Sequence, residues 1–329
     1  MMTDTGFNYI EGRFADIMML RYRLDNFDRL SLRQKKLVYC LSQAALFGRD
    51  ITFDQFGKYN LKIRKTLEAV YTSYEGARDS ADFKALEEYL KMVWFSSGIY
   101  HHYGCDKFQP GFSEDFFINA VKSVDVDMLP LEQGQSVKGL CDELLPVMFN
   151  PSVLPVKVCK KDGTDLVTSS ACNFYDGVSQ KEVEDYYSSV KDMSDEEPVS
   201  YGLNSTVVKT DDAVHEEVWR VDGKYDKAIR KIVFWLEKAL NFVENERQEN
   251  IIELLVKYYK SGDLHVFNEY CIEWVSDGES LIDFINGFIE VYDDPLGMKG
   301  TWEGLVEYRD MEGTRRTQVI SANAQWFED

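Results

Sequence analysis

Apolar residues recur three and four apart through most of the first 150 positions, the spacing that lines them along one stripe of a helix. Ser31-Leu32-Arg33-Gln34 reads as a capping box ahead of Leu37, Leu41, Ala44 and Ala45, and Gly48 marks the end of that helix. Residues 60–74 repeat the spacing with Leu61, Leu67, Val70 and Tyr74. In residues 80–96 the stripe is Phe83, Leu86, Leu90, Val93 and Trp94, and shorter helices are predicted at 113–124 and 136–145. These positions are core and carry no chemistry.

From about residue 151 the pattern changes. Two short apolar runs, 154–158 and 166–169, bracket Lys160-Lys161-Asp162-Gly163 and predict a hairpin. A second is predicted where 207–209 and 214–221 bracket Thr210-Asp211-Asp212. Ser179 and Glu182 form another capping box. A long helix follows at 225–244, with Ile229, Ile232, Val233, Leu236, Leu240 and Val243 on its apolar face, then helices at 250–259 and 263–275. A strand–turn–strand at 288–306 and a helix at 313–326 complete the series. Only 191–198 reads as a linker, and no repeat is evident. The expected fold class is α+β, a predominantly helical lobe with a small antiparallel sheet core. A single lobe over 1–329 is expected, mainly helical in 1–150 and mixed in 151–329.

Charge and cysteine usage narrow the function. The chain has 57 acidic residues against 37 basic ones, a formal charge of −20. That excludes a nucleic-acid partner, since there is no basic surface to displace phosphate counterions. The field favours encounter with cationic ligands. Six widely spaced cysteines, none in a Cys-x-x-Cys pair, fit free thiols in a reducing compartment. No apolar run approaches the ~20 residues of a membrane span, and the first 20 positions lack a secretory pattern. A cytoplasmic protein without a membrane partner is expected.

The most informative segment is 287–306, GFIEVYDDPLGMKGTWEGLV. Asp294-Pro295-Leu296-Gly297 fits a type I turn between two β-prone runs. On a strand, Glu290 and Tyr292 point the same way, and a chain reversal would carry Glu303 towards them. Two carboxylates and a phenol suit a ligand with a positively charged amine. The spacing alone equally describes an acidic surface loop beside an ordinary strand.

This segment resembles the corresponding stretch of the dipeptidyl peptidase III family, zinc enzymes that release dipeptides from the free N-terminus of short peptides. Similar likeness runs through 48–64 (GRDITFDQFGKYNLKIR), 98–112 (GIYHHYGCDKFQPGF, nearest the bacterial branch), 198–204 (PVSYGLN) and 321–329 (SANAQWFED). It is collinear over nearly the whole chain but covers only the first part of such an enzyme. The resemblance implies a lobe built around a small β-barrel-like core, facing a helical lobe that holds zinc. It also implies that Glu290, Tyr292 and Glu303 hold the substrate's N-terminal end.

The family's zinc helix, His-Glu-x-x-Gly-His, does not occur in these residues. Of His101, His102, His215 and His265, only His215 precedes a glutamate, and no second histidine follows at the required spacing. No metal site, no catalytic residue and no cofactor are therefore expected in this chain, while the complete family enzyme would hold zinc. The implied partners are short peptides with a free N-terminus and a C-terminal zinc-bearing lobe. The leading expectation is the N-terminal, substrate-anchoring lobe of such a metallopeptidase, inactive alone. A stand-alone peptide-binding or interaction module of that descent is the alternative. An unrelated hydrolase using Glu290 and Glu303 is a third.

Overall fold

In the computed structural model, which describes residues 6–192, 194–211 and 213–328, several helices begin where a side-chain oxygen takes up one of their first unbonded N–H groups. A short antiparallel ribbon, β1 (Ile10–Phe14) and β2 (Ile17–Leu20), comes first. Helix α1 (Leu32–Phe47) opens on Ser31, and both bonds of its capping box to Gln34 form. Gly48 follows it with φ −82°, a conformation open to any residue. Glycine is required there because the Trp302 indole would lie 2.1 Å from an added Cβ.

Next come α2 (Arg49–Gln55), α3 (Asn60–Ser73), α4 (Ala81–Phe95), α5 (Glu114–Ser123) and α6 (Val137–Phe149). Ser80, Ser113 and Ser136 cap the last three. Phe83, Leu86, Leu90 and Val93 are buried as the stripe predicts. Trp94 instead lies at the surface, its Nε1 donating to Glu68 at 2.8 Å. Helix α6 runs through Pro146 and past its predicted end. There the buried Lys107 ammonium donates to the carbonyls of Val147 and Asn150, at 2.9 and 2.6 Å.

Strand β3 (Tyr175–Asp176) lies parallel to β4 (Ser205–Thr210), which pairs antiparallel with β5 (Ala213–Val218) from Ser205↔Val218 to Thr210↔Ala213. That hairpin is the one predicted; its turn residue Asp212 lies outside the described residues. Between β3 and β4, α7 (Gln180–Val190) opens on Ser179 with both bonds of the second capping box. The other predicted hairpin, around 160–163, does not form. Its first run bonds elsewhere: the Lys157 N–H donates to Cys105 O at 2.9 Å, and Ala171 and Cys172 donate to the Lys157 carbonyl at 3.1 Å. The Ser170 hydroxyl, accepting from Cys159 N at 2.8 Å, then does the work of a ladder bond.

The later helices are α8 (Asp226–Ala239), α9 (Glu246–Ser261) and α10 (Leu264–Val275). Helix α1 packs against α8. Strands β6 (Ile282–Glu290) and β7 (Thr301–Tyr308) pair, with Arg309 N donating to Leu281 O where β6 starts and β7 finishes. They are followed by α11 (Met311–Ala322) and α12 (Ala324–Glu328), the predicted final helix broken at Asn323. Neither of these two has a buried residue, and Trp326 is 73% exposed.

The chain divides into two compact units that interleave along the sequence. The first comprises Met1–Asp28, Arg49–Val218 and Phe288–Thr301, and the second Arg29–Gly48, Trp219–Gly287 and Trp302–Asp329. The first unit is held by a core from α3 to α6, including Leu67, Tyr89, Phe117 and Leu144, with a smaller cluster of Val167, Val178, Val183, Tyr187 and Val207. In the second, the Tyr259 hydroxyl donates to Asn286 at 2.6 Å and accepts from Trp302 Nε1 at 3.1 Å. The fold is thus α+β and mainly helical, with small sheets. Among the described residues no sheet exceeds three strands and none closes, so open pieces stand where the resemblance implies a barrel-like core. Among the described residues no helix is long and apolar enough to cross a membrane.

Candidate functional site

Along β6, Ile282, Phe284, Asn286 and Phe288 are buried while Asp283 is exposed, the period of a half-buried strand. Glu290 continues that parity as the last residue of β6 and is half-exposed. Tyr292 does not lie on the strand as predicted. It falls in the turn beyond β6 and is 72% exposed. The Asp294–Gly297 turn forms, with Gly297 N donating to Asp294 O at 3.1 Å. Glu290 and Tyr292 belong to the first unit; Glu303, half-buried on β7, belongs to the second.

Within the first unit the segment 291–300 is held by Leu296 and Met298, which pack against the cluster of Val167, Val178 and Val183, and by a dense set of polar contacts. The buried Asp294 carboxylate is its hub. Oδ2 accepts from Met298 N at 2.7 Å, Lys299 N at 2.9 Å and the Tyr175 hydroxyl at 3.0 Å, and Oδ1 accepts from Leu296 N at 3.2 Å. The neighbouring Asp293 pairs with the buried Lys157 ammonium at 2.5 Å, and that ammonium sits 4.0 Å above the Phe56 ring. Gly300 closes the segment. Its N–H donates to Leu203 O at 2.7 Å, its carbonyl accepts from Gln55 Nε2 at 3.0 Å, and an added Cβ would lie 2.7 Å from the Phe288 carbonyl carbon.

Lys299 is fully buried. Its ammonium donates to the Tyr187 hydroxyl and, at 2.9 Å, to Ser205 Oγ, with Glu216 Oε1 at 3.8 Å. Glu216 in turn accepts from Tyr187 at 2.6 Å and from Ser205 at 2.5 Å. Burial pulls the Lys299 pKa down to about 8, against the opposing charges of Glu216 and Asp294. Burial likewise raises Asp294, outweighing the hydrogen bonds that favour its ionised form. The Tyr175 and Tyr187 phenols are raised by burial, with Asp294 and Glu216 respectively adding to the effect. A serine within reach of a lysine of lowered pKa has the spacing of an activated nucleophile. Both side chains are closed to solvent, however, so the pair is structural.

None of the four histidines is a partner in the hydrogen bonds just described. His101 and His102 stack at 4.4 Å, and His101 Nδ1 accepts from Tyr103 N and Gly104 N. Burial and the neighbouring His101 lower His102. His215 lies on β5 and His265 at the start of α10. Among the described residues no three of His, Cys, Asp and Glu gather closely enough to hold a metal ion.

The turn at Asp294–Gly297 forms as the sequence predicts, but the sequence does not reveal the buried polar network of Lys157, Lys299, Tyr175, Tyr187, Ser205 and Glu216 around it. One signal was available: Lys157 interrupts the apolar run Val156-Lys157-Val158, where a charge must find a partner if the run is buried. The structure also shows that three segments carrying the resemblance converge. Gln55 comes from 48–64, Leu203 from 198–204, and both bond Gly300.

Residues 173–327 match the model of peptidase family M49. Dipeptidyl peptidase 3 of Dictyostelium discoideum is 22% identical over 330 residues, covering 93% of this chain and 46% of that protein. Among solved structures, DPP III from Caldithrix abyssi aligns with a TM-score of 0.59 at 17% identity, over 90% of this chain and 43% of that one. Dipeptidyl-peptidase III from Corallococcus sp. strain EGB aligns with a TM-score of 0.60 at 17% identity, over 93% and 44%. These two likenesses concern the fold. The chain spans about half the length of the curated relative and solved structures it matches.

Proposed function

Because the chain belongs to the dipeptidyl peptidase III family, we propose that it is the substrate-anchoring part of a metallopeptidase that removes dipeptides from short peptides. Glu290 supplies a carboxylate for the peptide's N-terminal ammonium, and Tyr292 a phenol for the same amine or the first carbonyl. Glu303, in the other unit, takes a second carboxylate role that rests on the resemblance alone. An amine held at one fixed point sets the distance along the peptide at which cleavage falls. That is the physical basis of a dipeptide product.

The observation that carries this reading is the contrast at 290–294. Asp293 and Asp294 are pinned by an ion pair and a set of hydrogen bonds, while the adjoining Tyr292 remains exposed. A loop this heavily fixed holds a polar aromatic group out to solvent, which is how a binding group is preorganised. Among the described residues no three of His, Cys, Asp and Glu gather as a metal site would need, and no hydrolytic step is assigned to them. The chain's part is binding and orientation.

The test is a titration of trialanine, free at its N-terminus, into the wild-type chain and into Glu290→Gln and Tyr292→Phe. Weak binding is expected in the wild type, since two or three anchoring groups leave most of a peptide in water. Glu290→Gln should weaken it by about tenfold, the loss of one hydrogen bond to a charged group. Equal affinity in all three proteins would contradict the assignment.

A further inference from the structure

Lys157 is an unusual residue to find buried, and nothing in the proposed chemistry uses it. Its backbone is bonded on both sides, through N–H to Cys105 O and through its carbonyl to Ala171 and Cys172. The ammonium is therefore presented from a fixed stem, above Phe56 and 2.5 Å from Asp293 Oδ1. An ion pair taken out of water in this way is a poor source of stability. An apolar pair of similar volume commonly does as well or better. What an ion pair adds that an apolar contact does not is direction.

That direction acts on one short stretch. Asp293 follows Tyr292 and precedes Asp294, whose carboxylate is held by three backbone N–H groups and the Tyr175 hydroxyl. On the other side, the chain leaves β6 at Glu290, just past the buried Phe288 that Gly300 abuts. Tyr292 is thus the exposed residue of a span restrained at both ends. Of the restraints nearest to it, the Lys157–Asp293 pair stands on the adjacent residue.

We infer that Lys157, through its ion pair with Asp293, is a positioning residue that fixes the direction in which Tyr292 leaves the loop. The inference rests on the reading of Glu290 and Tyr292 as groups that meet the peptide, but the orientation it describes is measurable without any peptide. Lys157 touches no ligand; its effect passes through Asp293 to the phenol.

The experiment places 3-fluorotyrosine at position 292 of the full chain and records its fluorine resonance in the wild type, Lys157→Met, Lys157→Arg and Asp293→Asn. One narrow resonance is expected in the wild type and in Lys157→Arg, which keeps the charge. Lys157→Met and Asp293→Asn should give a shifted, broadened or split line, and the trialanine affinity should fall by about tenfold. Asp293→Asn keeps the experiment decisive where Lys157→Met fails to fold. A line in Asp293→Asn identical to the wild type in position and width would overturn the positioning role, whatever the peptide does. A disturbed line, in proteins whose trialanine binding is indifferent to Glu290→Gln and Tyr292→Phe, would support the positioning role and overturn the amine-site reading instead.

Discussion

The Tyr175 hydroxyl donates to Asp294 Oδ2 at 3.0 Å, tying β3 to the turn that follows β6 across 119 residues of sequence. Asp294 is buried and Tyr175 half-buried, so little water is at hand to replace the bond. Tyr175→Phe removes a hydrogen bond to a charged group and leaves one acceptor site of that carboxylate unfilled. The expected loss is about 1.5–3 kcal/mol, read as a lower urea midpoint at unchanged slope. A loss within error would mean that the bond is not formed in solution.

Lys299 makes a pH prediction with a definite sign. Its folded-state pKa is pulled below the usual lysine value to about 8 by burial. Between about pH 8 and 10 the unfolded chain therefore binds more protons at this site than the folded one, and stability from this group rises with pH. Tyrosines raised by burial act in the opposite sense once unfolded phenols begin to ionise near pH 10, so the comparison must be internal. From pH 7.5 to 9.5, wild-type stability should rise relative to Lys299→Met. A falling difference would show that the pairing with Glu216 outweighs desolvation.

Gly300 lies against the backbone of Phe288 and Ile289, with contacts of 2.7 and 2.9 Å awaiting any Cβ. Backbone cannot swing aside as a side chain can. Gly300→Ala should destabilise by about 1–3 kcal/mol and should loosen the bonds to Leu203 and Gln55, seen as faster amide exchange at Gly300. Wild-type exchange at that amide would contradict the close approach.

Much of the helical framework was legible because its signals are local. Ser31 with Gln34 and Ser179 with Glu182 are read within four residues, and both boxes form. Features that depend on distant partners were not legible. The alternation of β6 begins at Ile282, hidden by the polar Asn286, which is buried because Tyr259 satisfies it. The run around Lys157 looked like half of a hairpin, yet its bonds go to Cys105 and to 171–172. Gly48 ends α1 as the sequence predicts, but the close approach of Trp302 that demands a glycine there depends on a residue far along the chain. In the candidate site, residue types and turn are readable at 290–297, but Tyr292 lies off the strand and the groups that fix the loop, Lys157, Tyr175 and Ser205, come from far along the chain.

Helices α11 and α12 bury none of their residues, while Val319, Ile320, Trp326 and Phe327 are exposed. Helices this short are marginal in water without a packed face. The expected outcome is weak self-association of the chain by sedimentation velocity, reduced in a Trp326→Ser, Phe327→Ser double variant. Identical, strictly monomeric sedimentation of both proteins at high concentration would remove this prediction.

If Glu290 and Tyr292 recognise a free peptide amine, N-acetylation of the peptide should abolish binding. Trialanine and N-acetyl-trialanine should be titrated in parallel into the wild-type chain while amide shifts are followed by NMR. Only the free peptide is expected to shift the resonances of residues 289–294, and acetylation to abolish the effect. Equal shifts from both peptides, or shifts that leave Glu290 and Tyr292 untouched, would contradict amine recognition there.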